Sequence, residues 1–210
     1  MPETCINLVF EDRLSETVLR KLLSCSVVPY RVGRVHNAGG CAWIERRIRD
    51  LNHAAKGTPY FVLTDLDTWE CAPVLIGQWL GPCRHPNLLF RVAVREVEAW
   101  VLGCRESFAA FLGVPVTRIP IHVDEIPNPK EFIVNLARRS KRQDVRRDLV
   151  PERGSVAKVG RGYNERLMDY VERHWEPAVA RERSPSLRKA MKALDVFEPV
   201  LTSPHNSGDC

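Results

Sequence analysis

The sequence predicts an α/β fold, a parallel sheet flanked by helices, with a mostly helical C-terminal extension. Three observations predict it. Apolar runs of strand length alternate with amphipathic, helix-length stretches through the first half of the chain, the alternation that builds parallel sheets. Acidic residues follow three of those runs, at the strand ends where such sheets open their functional crevice. After Pro115 the composition shifts to a proline-broken stretch and then to basic, helix-forming segments.

Cys5-Ile6-Asn7-Leu8-Val9-Phe10 is a short buried strand that ends at Glu11-Asp12. Ser15 is expected at or near the cap of the helix that follows, with Val18, Leu19, Leu22 and Leu23 on one face. A second strand is expected over 27–32; Pro29 lacks a ladder N–H and places it near an edge or a bend. Asn37-Ala38-Gly39-Gly40 is a turn, followed by a helix with Trp43, Ile44, Ile48 and Leu51 at helical spacing. Gly57-Thr58-Pro59 turns the chain into Tyr60-Phe61-Val62-Leu63, a third strand closing on Asp65, with a helix over 69–80 behind it. Pro82, Pro86 and Asn87 mark a loop before the fourth strand, 88–94, which runs into a helix through Arg95-Glu96-Val97-Glu98-Ala99-Trp100. Beyond it, Leu167, Tyr170 and Val171 share a helix face, and Ser184-Pro185-Ser186 has the form of a helix start. The expected organisation is a core over 1–115, a loop-rich and helical extension over 116–200 packed on it, and a polar tail over 201–210.

The 210 residues, 44% of them hydrophobic, suffice for one sizeable α/β unit with an appended lobe. The net charge of +5 permits a polyanionic partner without demanding one. Seven cysteines without a Cys-x-x-Cys pair, and six scattered histidines, argue against a structural zinc site. Met1-Pro2-Glu3-Thr4 does not read as the start of a signal peptide, and no apolar run reaches membrane-spanning length. A soluble, cytoplasmic protein without a membrane partner is expected.

The informative pattern is the acids. Glu11 and Asp12 follow the first strand, with Glu16 one turn on as a secondary acid; Asp65 and Asp67 follow the third; Glu96 and Glu98 follow the fourth. One acid after a strand is commonplace, because carboxylates favour helix N-termini. Acids on three strand ends of one parallel sheet gather on one rim, where their repulsion calls for a cation between them. Hard oxygen ligands of this number suit Mg2+ or Mn2+, and two such ions can clamp the attacking and leaving oxygens of a phosphodiester displacement.

Val9-Phe10-Glu11-Asp12-Arg13-Leu14-Ser15-Glu16, followed by Asp65-Leu66-Asp67, resembles the Toprim pattern of a lone Glu after the first strand and Asp-x-Asp after a later one. Residues 91–100, with Pro129-Lys130-Glu131, Val159-Gly160-Arg161-Gly162-Tyr163-Asn164 and Ser184-Pro185-Ser186-Leu187, make the chain similar to a Toprim-like family of unknown function (DUF4276), itself related to nucleases of the OLD type. The resemblance implies a Toprim-like sheet, Glu11 as catalytic or metal-organising acid, Asp65 and Asp67 as magnesium ligands, and Glu96 or Glu98 at a second metal position. It also implies nuclease chemistry and a phage-defence setting beside an AAA-type ATPase. The pattern's usual glycine after the first Glu is Asp12 here.

A cation near the developing charge would assist phosphodiester cleavage, and Lys130, Lys158 and Arg161 are the candidates, Lys158 lying in the glycine-flanked loop 154–162. The run Arg138, Arg139, Lys141, Arg142 can track a nucleic-acid backbone, with DNA favoured, though no aromatic residues interleave with it. The chain has no Walker A motif, so any ATP dependence comes from a partner. Oligomeric state, including a homo-oligomer, stays open. Two rivals remain. Asp65-Leu66-Asp67-Thr68-Trp69 also resembles a haloacid-dehalogenase-like phosphatase with Asp65 as nucleophile, although Trp69 replaces a small residue and the motif follows the third strand. A non-catalytic Toprim-like subunit that docks on an ATPase is the other.

Overall fold

The computed structural model describes residues 3–200; the expected tail over 201–210 lies outside them. Strands β1 (Thr4–Phe10), β2 (Tyr30–Asn37), β3 (Tyr60–Asp65) and β4 (Leu88–Ala93) alternate with helices α1 (Arg13–Ser24), α2 (Cys41–Ala54) and α3 (Ala72–Leu80). Every pairing is parallel and the order is β2-β1-β3-β4, so the fold is α/β. The chain adds β2 on one side of β1 and β3 on the other. Winding therefore reverses between β1 and β3, and the crevice at such a reversal opens at their carboxyl ends.

The period-two alternation of each strand feeds two cores. Ile6, Leu8, Phe10, Phe61 and Leu63 pack with Val18, Leu19 and Leu22 of α1, while Val9, Val62, Phe90 and Val92 pack with Ile44 and Ile48 of α2 and Leu75 and Trp79 of α3. Helices thus cover both faces of the sheet.

Two boundaries differ from expectation, and a third settles an open choice. β2 begins at Tyr30, after Pro29, and extends to Asn37 rather than spanning 27–32. Pro29 contributes only its carbonyl, which accepts from Thr4 N–H at 2.9 Å, and β2 is an edge strand. The β1–β2 register shifts between Ile6 and Leu8; Asn7 Oδ1 fills the break by accepting the Arg34 N–H at 2.7 Å. Gly33 permits that reach, because a Cβ there would lie 2.5 Å from Asn7 Oδ1. Of the two positions open to Ser15, at the cap of α1 or near it, it takes the second: Asp12 is the cap, its Oδ1 accepting the Ser15 N–H at 2.9 Å, and Ser15 is buried inside the first turn. Helix α3 begins at Ala72 rather than at 69, with Pro73 in its first turn and Trp69 in a turn whose N–H reaches the Leu66 carbonyl.

Beyond β4 the chain is helical: α4 (Val97–Leu102), α5 (Arg105–Leu112), α6 (Pro129–Arg138), α7 (Gln143–Leu149), α8 (Tyr163–Arg173), α9 (Pro177–Ala180) and α10 (Pro185–Asp195). The proline-rich stretch between α5 and α6 holds two short 3-10 turns, Val116–Arg118 and Val123–Glu125. Ser184 caps α10 by accepting the Leu187 N–H at 3.2 Å, with Pro185 at its first position. One core runs from Ile6 and Phe61 of the sheet to Leu167 of α8 and Leu194 of α10. Buried Trp100 is tied into it, its indole N–H donating to Ser186 Oγ at 2.7 Å and its carbonyl accepting from Trp175 at 3.0 Å. Among the described residues no helix is long and apolar enough to cross a membrane.

Candidate functional site

The acids stand on β1, β3 and β4, three adjacent strands of the sheet. Glu11 and Asp12 follow β1, Asp65 closes β3 with Asp67 two residues on, Glu96 precedes α4, and Glu98 sits in its first turn. Hydrogen bonds stitch the strand ends together in sequence. Glu11 Oε1 accepts the Thr64 hydroxyl at 2.5 Å and the Asp65 N–H at 2.9 Å. Asp65 Oδ1 accepts the Val97 N–H at 2.9 Å, at the N-terminus of α4. Glu98 is 1% exposed; its Oε1 accepts from the Tyr163 hydroxyl at 3.3 Å and faces Lys130 Nζ at 3.5 Å. Glu96 Oε2 accepts the Lys130 N–H at 2.7 Å. Asp67 is exposed and takes the left-handed conformation, φ 49°, which Asp tolerates better than most side chains. Arg95 holds that turn, its guanidinium donating to the carbonyls of Asp67 at 3.1 Å and Trp69 at 2.7 Å.

Crowding of carboxylates has the electrostatic effect that elementary physics requires. Burial raises the pKa of Glu11, with Asp67 and Asp12 adding to it against the hydrogen bonds from Thr64 and Asp65. Burial, then Glu98 and Glu11, push Asp65 well above the usual carboxylate range. Burial lifts Glu98 to about 7, Lys130 opposing and Glu96 reinforcing the rise. Burial pulls the Lys130 ammonium down, yet Glu98, Glu96, Asp65 and Asp12 outweigh it and hold its pKa above the ordinary lysine value.

The donor set is made of hard oxygens, and Glu98 Oε2 is buried without a hydrogen-bond partner among the described residues. A bare buried carboxylate oxygen beside other carboxylates fits a divalent cation. Glu11, Asp65, Asp67 and Glu98, with Glu96 beside Lys130, are the acids that could contribute ligands to one. Among the described residues no group of three or more His, Cys, Asp or Glu side chains is preset as a metal cage.

Glu96 and Lys130 also line a cleft of about 950 Å³ whose far walls carry Arg138, Arg153 and Lys158. Lys158 is exposed in the loop between α7 and α8. Gly160 and Gly162 press this loop against α7, their N–H groups reaching the carbonyls of Leu149 at 2.9 Å and Asp148 at 3.0 Å. The other predicted basic residues stand elsewhere. Arg139 and Lys141 are exposed and are not among the residues lining this cleft. Arg142 pairs with Asp144 at 2.9 Å and donates to the Phe111 carbonyl at 3.0 Å, and Arg161 faces Glu152 at 3.5 Å. Glu16 pairs with Arg20 at 2.8 Å along α1 and is not joined to the acid cluster by any of the contacts described above.

Sequence reasoning missed several participants. Asp12 was read as an acid of the cluster, but its second role as the cap of α1 was not. Thr64 and Arg153 entered no motif, and Tyr163 entered only as part of the segment that carries the resemblance, with no role given to it. The polar residue before Asp65 was the one available signal for Thr64. No protein-family model, curated protein or solved structure matches the chain.

Proposed function

We propose that the chain is a metal-dependent nucleic-acid phosphodiesterase, a Toprim-like nuclease using Mg2+ or Mn2+. One observation carries the reading: the acids of three adjacent strand ends are chained by hydrogen bonds, Glu11 to the Asp65 backbone and Asp65 to the start of the helix that carries buried Glu98, beside a cleft lined by Lys130, Arg138, Arg153 and Lys158. A bound ion pair would supply the nucleophile's activation and neutralise charge on the phosphodiester. Glu11 braces Asp65 through its backbone, Asp65 fixes the start of α4, and that helix sets Glu98. The cleft's cations would hold the phosphate backbone against the site, and Lys130 or Lys158 would face the charge that develops in the transition state. The resemblance to OLD-type nucleases supports the same chemistry and points to a partner AAA-type ATPase.

The test is incubation of the purified protein with plasmid DNA, linear DNA and RNA, in Mg2+, Mn2+ or chelator, beside Glu11→Ala and Asp65→Ala. Ion-dependent cleavage lost in both variants is expected. Cleavage that persists in both overturns the site. No cleavage by the native chain, with or without an ATPase partner, overturns the activity in favour of a docking subunit, and phosphomonoester hydrolysis abolished by Asp65→Asn alone favours a phosphatase.

A further inference from the structure

Lys130 has an unusual double attachment. Its backbone N–H is pinned by Glu96 Oε2 at 2.7 Å, in the first turn of α6. Its ammonium reaches inward to Glu98 Oε1 at 3.5 Å, yet the side chain is 35% exposed and lines the basic cleft. The anchor is therefore at the backbone, and the four-carbon stem can turn without moving the helix. Inside the cluster, Lys130 is the cation that offsets Glu98, Glu96, Asp65 and Asp12.

A divalent ion entering among the same carboxylates meets that ammonium. Two cations sharing one group of ligands repel over a few ångströms of weakly screening protein, and the ion brings twice the charge. A polar alternative that keeps the Glu96 anchor is the cleft it already lines.

We propose that the Lys130 ammonium is an exchangeable counter-ion of the carboxylate cluster, displaced into the cleft when a divalent cation binds. The inference rests on the metal-site reading above and adds a coupling to it: loading the ion delivers a positive charge to the place where the phosphate backbone lies. No covalent step is involved. The lysine and the metal are competitors for one set of carboxylates, so their affinities are linked reciprocally.

Binding of Mn2+, followed by loss of the free-ion signal in electron paramagnetic resonance, separates the possibilities. Lys130→Met keeps the length of the stem without its charge and is expected to bind Mn2+ about tenfold more tightly than the native chain; Lys130→Arg keeps the charge and stays near the native affinity. Equal or weaker binding by Lys130→Met, with the native chain binding, overturns the exchange and leaves the metal site standing. Absence of binding in both overturns the metal site and the exchange with it. A second measurement uses the native chain alone, so that misfolding of a variant decides nothing. Acylation of Lys130 by an amine-reactive reagent, quantified by peptide mass spectrometry, is expected to rise on adding Mg2+ while that of Lys189 stays constant. Unchanged Lys130 acylation at saturating Mg2+ overturns the exchange.

Discussion

Glu98 concentrates the physics of the site in one side chain. It is buried, shares a lysine with its neighbours, and leaves one oxygen without a hydrogen-bond partner among the described residues. Its folded-state pKa is lifted from 4.5 to about 7, so the native state holds a proton that the unfolded chain releases at lower pH. Stability then falls as pH rises from 4.5 to about 7 and levels above it. With divalent ions chelated, that fall should amount to roughly 1–3 kcal/mol between pH 4.5 and 7 in urea denaturation. Glu98→Gln should reduce it without abolishing it. A native chain equally stable at both ends of that range would contradict the account. Asp65 and Glu11, raised by the same crowding, act in the same direction.

At the scale of elements, the two connections that frame the site are set by different devices. Asp12 ends β1's carboxylate rim and caps α1 at once. Asp12→Ala should cost about 1 kcal/mol of stability through the lost cap, readable as a lower urea midpoint at unchanged slope. The loop carrying Lys158 is held by close approach: a Cβ on Gly160 would overlap the Asp148 carbonyl of α7. Gly160→Ala should destabilise by roughly 1–3 kcal/mol and displace Lys158; a variant as stable as the native chain would show that the loop is not fixed there. These elements also mark how far the sequence could be read. Strands with clean apolar periods were legible, and so were the acids on their ends. The cap of α1 was not, because Asp12 and Ser15 are both cap-forming residues three apart and only the backbone chooses between them. Nor was the division of the basic run: buried Ser140, its hydroxyl 2.5 Å from the Leu112 carbonyl, anchors the turn there. Arg138 thus lines the cleft while Arg142 turns to Asp144. Lys130 and Tyr163 reach Glu98 from distant segments, for which no local pattern exists.

For the whole molecule, the shared core decides what can stand alone. The sheet's Ile6 and Phe61 and the C-terminal Tyr163, Leu167 and Leu187 belong to one buried cluster, so a fragment of residues 1–115 would expose its larger face. Such a fragment should bind hydrophobic dyes and melt without a cooperative transition, whereas residues 1–200 should unfold in a single step; a cooperatively folding fragment would refute the dependence. The cleft's cations act collectively on a polyanion. Replacing Arg138, Arg153 and Lys158 together with Gln should lower the slope of log affinity against log salt by about 2–3 for duplex DNA. A slope unchanged by the triple replacement would place the nucleic-acid surface elsewhere.

The hydrogen bonds that stitch the acids together join residues 54, 32 and 65 positions apart. Contacts of such separation must await closure of long loops. Until then the carboxylates remain in water, screened and apart, so their mutual repulsion is deferred to the final stage of folding. Assembly of the rim is therefore expected late in folding and early in unfolding. Glu11→Gln should accordingly change the unfolding rate and leave the folding rate nearly untouched, a distinction that stopped-flow kinetics measures directly.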